Sequence, residues 1–70
     1  MIDEILFMEA RLLRLFCERF QIDQLEANRL FNQYGIWDYI ERCYDYFHTC
    51  GDDYIVDDIT EVLQAKGAAL

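Results

Sequence analysis

Residues 48–63, HTCGDDYIVDDITEVL, decide the fold of this 70-residue chain, because the end of one helix and the start of another follow each other there. Gly51 stands where the preceding helix needs a closing residue of left-handed conformation, which glycine adopts at low cost. Residues 52–56 are expected to form an acidic turn and a short apolar run. We therefore predict that a helix stops at Gly51, with a positive φ at that glycine.

A short C-terminal helix is predicted to begin at Asp57 or Asp58, whose side chain can accept a backbone N–H bond as an N-cap. Asp58 and Glu61 have the spacing of a capping box. Apolar residues then recur at helical intervals on one face: Ile55, Ile59, Val62 and Leu63. Gly67 marks the expected end of this helix.

The first helix is predicted to run from about Asp3 to Phe20. Its inward face consists of Ile5, Leu12, Leu13, Phe16 and Phe20. Glu9 falls inside that apolar stripe, either as a carboxylate at the edge of the core or as a contact to a partner. Phe7 and Leu15 fall toward the polar side, where another helix of the chain or a partner protein could cover them.

A second helix is expected to open at Asp23, with Glu26 at capping-box spacing, and to close at Gly35. A third begins near Ile36 or Trp37 and continues to the turn at Gly51. The chain contains no proline, linker or repeat, so residues 1–70 are expected to form one domain. The predicted fold is all-α, a compact bundle of three main helices plus a short C-terminal helix.

Charge and composition restrict the classes of partner. The net charge is −8, with eight acids against two bases in residues 38–70. Such a field repels nucleic acid and steers the chain toward a basic protein surface, although acidic surfaces also serve solubility. The hydrophobic fraction of 54% is high for so short a chain and leaves apolar area for a partner. No long apolar run or basic leader is present, so a cytoplasmic location without membrane contact is expected.

Chemistry-bearing residues cluster around His48, but their spacing is poor for a reactive site. Cys50, Asp52 and Asp53 are possible metal ligands, yet they form neither the paired spacing of zinc sites nor the alternation of a calcium loop. A thiolate would also lack the electropositive surroundings that activate it. We therefore expect no metal, cofactor or enzymatic activity. The three cysteines, an odd number without a close pair, are expected to be reduced.

The same stretch resembles a family of short bacterial proteins catalogued as domain of unknown function three-seven-nine-one. The pattern H-T-x-G-x-x-Y-I-V-x-D-I-x-x-x-L is met here by His48, Thr49, Gly51, Tyr54, Ile55, Val56, Asp58, Ile59 and Leu63. The segments Phe16–Glu18 and Tyr44–Asp45 are also similar to that family, so the resemblance covers nearly the whole chain. Members are often encoded beside an ADP-ribosyltransferase-like protein, which implies a toxin–antitoxin or inhibitor pairing.

The sequence and this resemblance together favour a small acidic protein–protein interaction module, antitoxin-like or inhibitory, whose partner has a basic surface and is encoded nearby. The alternative is a nucleic-acid-mimicking or anti-defence regulator that occupies a basic site on its target. Homodimerisation stays open. Tyrosines directed to solvent beside acids are typical of binding hot spots. The predicted partner-binding residues are Tyr39, Tyr46, His48, Asp52, Asp53, Tyr54 and Asp57.

Overall fold

The computed structural model describes residues 3–70, and every regular element in that range is an α-helix. In chain order the helices are α1 (Glu4–Phe20), α2 (Gln24–Gln33), α3 (Ile36–Arg42), α4 (Tyr44–Phe47) and α5 (Asp52–Ala65). The prediction of an all-α fold is confirmed. None of these helices is both long and apolar enough to cross a membrane.

The ends of α1 and α2 follow their capping residues. Asp3 accepts hydrogen bonds from the backbone N–H groups of Ile5 and Leu6, at 3.0 and 3.2 Å. Asp23 accepts one from the N–H of Glu26 at 2.8 Å, as its capping-box spacing predicts. Gly35 has the left-handed φ of 68° that was expected of the residue closing α2.

The predicted third helix is interrupted at Cys43, which divides it into α3 and the four-residue α4. Cys43 has φ −97° and ψ 7°, outside the ideal helical region. Its N–H still donates to the carbonyl of Tyr39, and its carbonyl accepts from the N–H of Phe47. No glycine or proline marks this interruption in the sequence, so periodicity alone predicts one continuous helix there.

The prediction for residues 51–58 is wrong in two respects. Gly51 has φ −72° and ψ 153°, an extended conformation open to any residue, so the expected left-handed turn is absent there. The last helix begins at Asp52 and not at Asp57 or Asp58, and its 14 residues make it a main helix. The physical reason is burial, because Ile55 and Val56 are helical core residues in line with those that follow. Acids in the first turn also stabilise the positive end of the helix dipole.

One hydrophobic core joins α1 to α2, α3 and α5. Aromatic rings connect its centre: the Phe16 ring lies 5.2 Å from that of Phe31, which lies 4.9 Å from that of Trp37. The fully buried side chains of the core are Leu12, Phe16, Ala27, Phe31, Ile36, Ile40, Phe47, Ile55, Val56, Ile59 and Leu63. Thus α2, α3 and α5 pack against α1, and α4 packs against α3.

Three residues of α1 did not fit its amphipathic pattern, and the structure gives them different environments. Glu9 is half-buried, and burial, followed by repulsion from Glu41 and Asp3, raises the pKa of its carboxyl. Leu15 is partly covered by the core of the same chain. Phe7 is 62% exposed, so no other described element covers it.

Candidate partner-binding surface

Two exposed tyrosines meet where the α4–α5 turn brings the two helices together. The hydroxyl oxygens of Tyr46 and Tyr54 lie 2.7 Å apart, and their rings meet edge to face with centroids 6.2 Å apart. Both side chains remain half exposed, at 56% and 51%. The hydrogen bond with Tyr54 raises the pKa of Tyr46 to about 12. The pair therefore presents two mutually oriented rings to solvent, which confirms the predicted exposure of Tyr46.

Tyr39 does not have the solvent-directed position expected from the sequence. Its side chain is half-buried against the core, and its ring meets that of Phe47 edge to face at 5.7 Å. Its hydroxyl donates to the carboxylate of Asp58 on α5. Burial, and then this hydrogen bond, raise the pKa of Tyr39. Helical projection missed this role because it places a residue on a face without showing which helix covers that face.

The acids at the start of α5 are bound by arginines of the same chain. Asp52 accepts a hydrogen bond from Nε of Arg11 at 3.1 Å. Arg19 lies 3.6 Å from the carboxylate of Asp53 and also pairs with Asp57. Two cations of α1 thus compensate three of the predicted partner-binding acids. Sequence reasoning missed Arg11 and Arg19, since the packing of α1 against α5 is a long-range feature.

A shallow acidic depression lies beside the tyrosine pair on α5. It encloses about 200 Å³ and is lined by Tyr54, Asp57, Asp58 and Glu61. Asp57 and Asp58 lie three and four residues after Tyr54 and four and three residues before Glu61, so all four lie on one side of α5. Sequence reasoning did not select Asp58 and Glu61 for this surface because it assigned them to a capping box. Their common helical face becomes apparent once α5 begins at Asp52.

His48 borders a different cleft, between α4 and the beginning of α1. Its imidazole is exposed and stacks on the ring of Tyr44, with centroids 5.7 Å apart and 13° between the planes. The hydroxyl of Tyr44 donates to Glu4 at 2.9 Å, and this hydrogen bond raises the pKa of Tyr44. The cleft encloses about 370 Å³ and is lined by Glu4, Phe7, Met8, Arg11, Tyr44 and His48. His48 is therefore separate from the tyrosine pair.

The potential metal ligands of residues 3–70 do not lie together in one cluster. No three His, Cys, Asp or Glu side chains in that range are arranged to hold a metal ion. Cys17, Cys43 and Cys50 are free thiols. Burial, followed by repulsion from Asp23, raises the pKa of Cys17, while the thiol of Cys50 donates to the carbonyl of Tyr46 at 3.3 Å.

Comparison with known proteins identifies the family. Neither the curated proteins nor the solved structures gave a significant match to this chain. The model of the family described as Protein of unknown function (DUF3791) matches residues 7–66, which include all of α2 to α5 and most of α1. This match confirms the resemblance seen in the sequence. The chain therefore belongs to the DUF3791 family.

Proposed function

We propose that this chain is a small acidic protein–protein interaction module, an antitoxin-like or inhibitory partner of a protein with a basic surface. The observation that carries the proposal is the exposed Tyr46–Tyr54 pair beside the acidic depression of α5. The proposal assigns no catalytic step or cofactor to the chain. It places the chain in the cytoplasm, where reduced thiols are stable.

The tyrosine pair has the properties of a binding anchor. Tyrosine combines a large rigid ring with a polar tip, and such residues are enriched at the centres of interfaces. The hydrogen bond between Tyr46 and Tyr54 and their edge-to-face contact restrict both rings before a partner arrives. Restriction in the free protein lowers the entropy lost on binding. A partner that buries both rings thus gains affinity from a preorganised surface.

The adjacent depression suits a basic side chain of the partner. Three carboxylates, of Asp57, Asp58 and Glu61, surround it together with the ring of Tyr54. Carboxylates accept charge-assisted hydrogen bonds from lysine or arginine, and a tyrosine face attracts the same cations. Glu61 is exposed and has no ion pair among the described residues, whereas Asp57 is paired with Arg19. We therefore expect Glu61 to contribute more to recognition than the paired acids.

The second candidate function, nucleic-acid mimicry, rests on the net charge of −8. A mimic presents negative charge at regular intervals in place of phosphates. Along the start of α5, however, Arg11 and Arg19 place positive charge among the acids. This interruption makes mimicry the weaker candidate. Competition between the chain and DNA or RNA for a common binding protein would favour it.

A titration against the protein encoded beside this chain in its native host tests the proposal. Tyr46→Ala and Tyr54→Ala should each raise the dissociation constant about tenfold or more, equivalent to about 1.4 kcal/mol. Leu25→Ala is the matched control, because Leu25 is 72% exposed on α2, a helix that carries neither tyrosine of the pair. Unchanged affinity in both tyrosine variants, with the control also unchanged, would exclude this surface.

Association kinetics test the proposed electrostatic recognition of the partner. A growth assay tests the proposed inhibition of the neighbouring protein. Glu61→Lys should slow association and reduce its dependence on salt, while Glu18→Lys, the same change on α1, should have a smaller effect. Expression of the neighbouring protein should arrest growth, and co-expression of the chain should relieve the arrest. Equal effects of the two charge reversals would contradict recognition by the acidic depression. Growth arrest that the chain does not relieve would contradict the antitoxin-like role.

A further inference from the structure

A second exposed surface lies on the outward side of α1, separate from the tyrosine pair. We define the α1 outer face as Asp3, Leu6, Phe7, Ala10 and Arg14, all of which are exposed. Leu6 and Phe7 are each 62% exposed, although they are among the most apolar residues of the chain. The spacing of three and four between the members is that of a helix-pairing seam. No described element of the chain covers this face.

The ring of Phe7 projects from the α1 outer face. A depression that could receive such a ring lies on each side of it. One encloses about 290 Å³ and is lined by Asp3, Leu6, Phe7 and Ala10. The other encloses about 370 Å³ and is lined by Phe7, Ala10, Arg11 and Arg14. Ala10 adjoins both depressions, and its small side chain allows another helix to approach closely. A face with both features can be complementary to itself.

Charge gives this face a definite pairing register. If a second α1 lies antiparallel and its Phe7 enters the depression between Phe7 and Arg14, Phe7 of one copy faces positions 10 and 11 of the other. The same register places Arg14 opposite Asp3, the acid of the α1 outer face. Arg14 forms no ion pair among the described residues, unlike Arg11 and Arg19. One arrangement of the two helices therefore both covers the exposed ring of Phe7 and gives Arg14 an acidic partner.

We propose that the α1 outer face is a homodimer interface in which two α1 helices pack antiparallel about a two-fold axis. Phe7 of each copy enters the depression of the other, and Arg14 pairs with Asp3 at the start of the opposite helix. Such an interface is isologous, so one surface supplies both halves. This inference is independent of the proposed function, because the Tyr46–Tyr54 pair takes no part in it.

The size of the face sets the strength of the dimer. α1 has 17 residues and is about 25 Å long, so one pair of helices buries less than the roughly 800 Å² per partner of a standard interface. We expect a reversible dimer with a dissociation constant between about 10 μM and about 1 mM. The assembly should therefore depend on concentration within the range of sedimentation and light-scattering measurements.

Sedimentation equilibrium of the 70-residue chain, up to about 1 mM, tests this proposal. The wild type should dimerise, and Phe7→Glu should raise the dissociation constant about tenfold or more. Leu25→Glu is the control, since it adds the same charge at another exposed apolar residue, on α2. A melting curve of each variant verifies the fold, and Phe7→Ala replaces Phe7→Glu if the charge unfolds the chain. A monomeric wild type, or equal weakening by Leu25→Glu, would overturn the interface.

A charge exchange tests the antiparallel register. Arg14→Glu should weaken the dimer by placing like charges opposite each other, and Asp3→Arg combined with Arg14→Glu should restore it. Because Asp3 also caps α1, a melting curve verifies that the double variant is folded. Restoration requires that these positions face each other across the interface, so it supports the proposed arrangement. A dimer that Arg14→Glu does not weaken, or that the exchange does not restore, would overturn it.

Discussion

The hydroxyl of Tyr39 on α3 donates a hydrogen bond to the carboxylate of Asp58 on α5, which ties together two helices that are separate in the sequence. Both residues are half-buried, and the ring of Tyr39 also packs on Phe47. A residue expected to bind a partner thus stabilises the fold. Tyr39→Ala would remove both the packing and the hydrogen bond, so its effect on binding could not be separated from unfolding.

We predict that Tyr39→Phe lowers the free energy of unfolding by about 1–2 kcal/mol, because Asp58 then loses its donor while it remains half-buried. Tyr44→Phe is the matched control, since the Tyr44 hydroxyl donates to Glu4 at an exposed position and should contribute less. Urea denaturation measures both losses. A double-mutant cycle with Asp58→Ala should give a coupling energy above about 0.5 kcal/mol. Additive effects would contradict the link between α3 and α5.

The same substitution at two glycines should have opposite effects. Gly51 caps α5 with an extended φ of −72°, and no atom lies within 4 Å of the position where a Cβ would stand. Gly51→Ser adds a capping hydroxyl and reduces the freedom of the unfolded chain, so we predict a gain of about 0.5–1 kcal/mol. Gly35 has a φ of 68°, so Gly35→Ser should cost about 1 kcal/mol. Thermal unfolding distinguishes the two, and a loss in Gly51→Ser would contradict the extended conformation.

Local signals in the sequence predict much of the fold. Asp3, Asp23 and Gly35 act through hydrogen bonds or a φ angle within a few residues, and the boundaries that they set are confirmed. Gly51 gave a wrong boundary because a glycine can precede a helix as well as end one. Whether the residues after Gly51 form a turn or a helix is determined by the burial of Val56 against residues distant in the sequence, and not by a local signal.

The candidate surface was predictable only in part. Amphipathic projection identified the exposed Tyr46 but also selected the half-buried Tyr39, while Tyr54 was selected as part of the expected acidic turn. The contacts of the acids with Arg11 and Arg19 span about forty residues of sequence. Such contacts depend on how α1 packs on α5, and no local pattern in one sequence specifies this packing.

Glu9 should make the stability of the fold depend on pH. Burial and neighbouring acids raise its folded-state pKa above the ordinary value of 4.5, so the folded chain holds this proton more tightly than the unfolded chain. Its ionisation therefore destabilises the fold at pH values above the raised pKa, and this cost disappears below about pH 4.5. We predict that Glu9→Gln raises the melting temperature at pH 7 and loses the advantage in acid. A constant difference across this range would contradict the assignment.

The Tyr46–Tyr54 hydrogen bond can be measured without a partner. The hydrogen bond with Tyr54, followed by burial and the charge of Tyr54, raises the pKa of Tyr46 to about 12, above the ordinary 10.0. We predict that Tyr54→Phe returns the pKa of Tyr46 toward 10.0.

NMR of the ring carbon that bears the hydroxyl follows each tyrosine separately, and circular dichroism at each pH verifies that the chain is folded. Tyr34→Phe is the control, because it leaves the pair intact. A Tyr46 that titrates near 10.0 in the wild type, or that does not respond to Tyr54→Phe, would show that the rings are not joined in solution. Without that junction, the preorganisation on which the proposed binding surface depends would be absent.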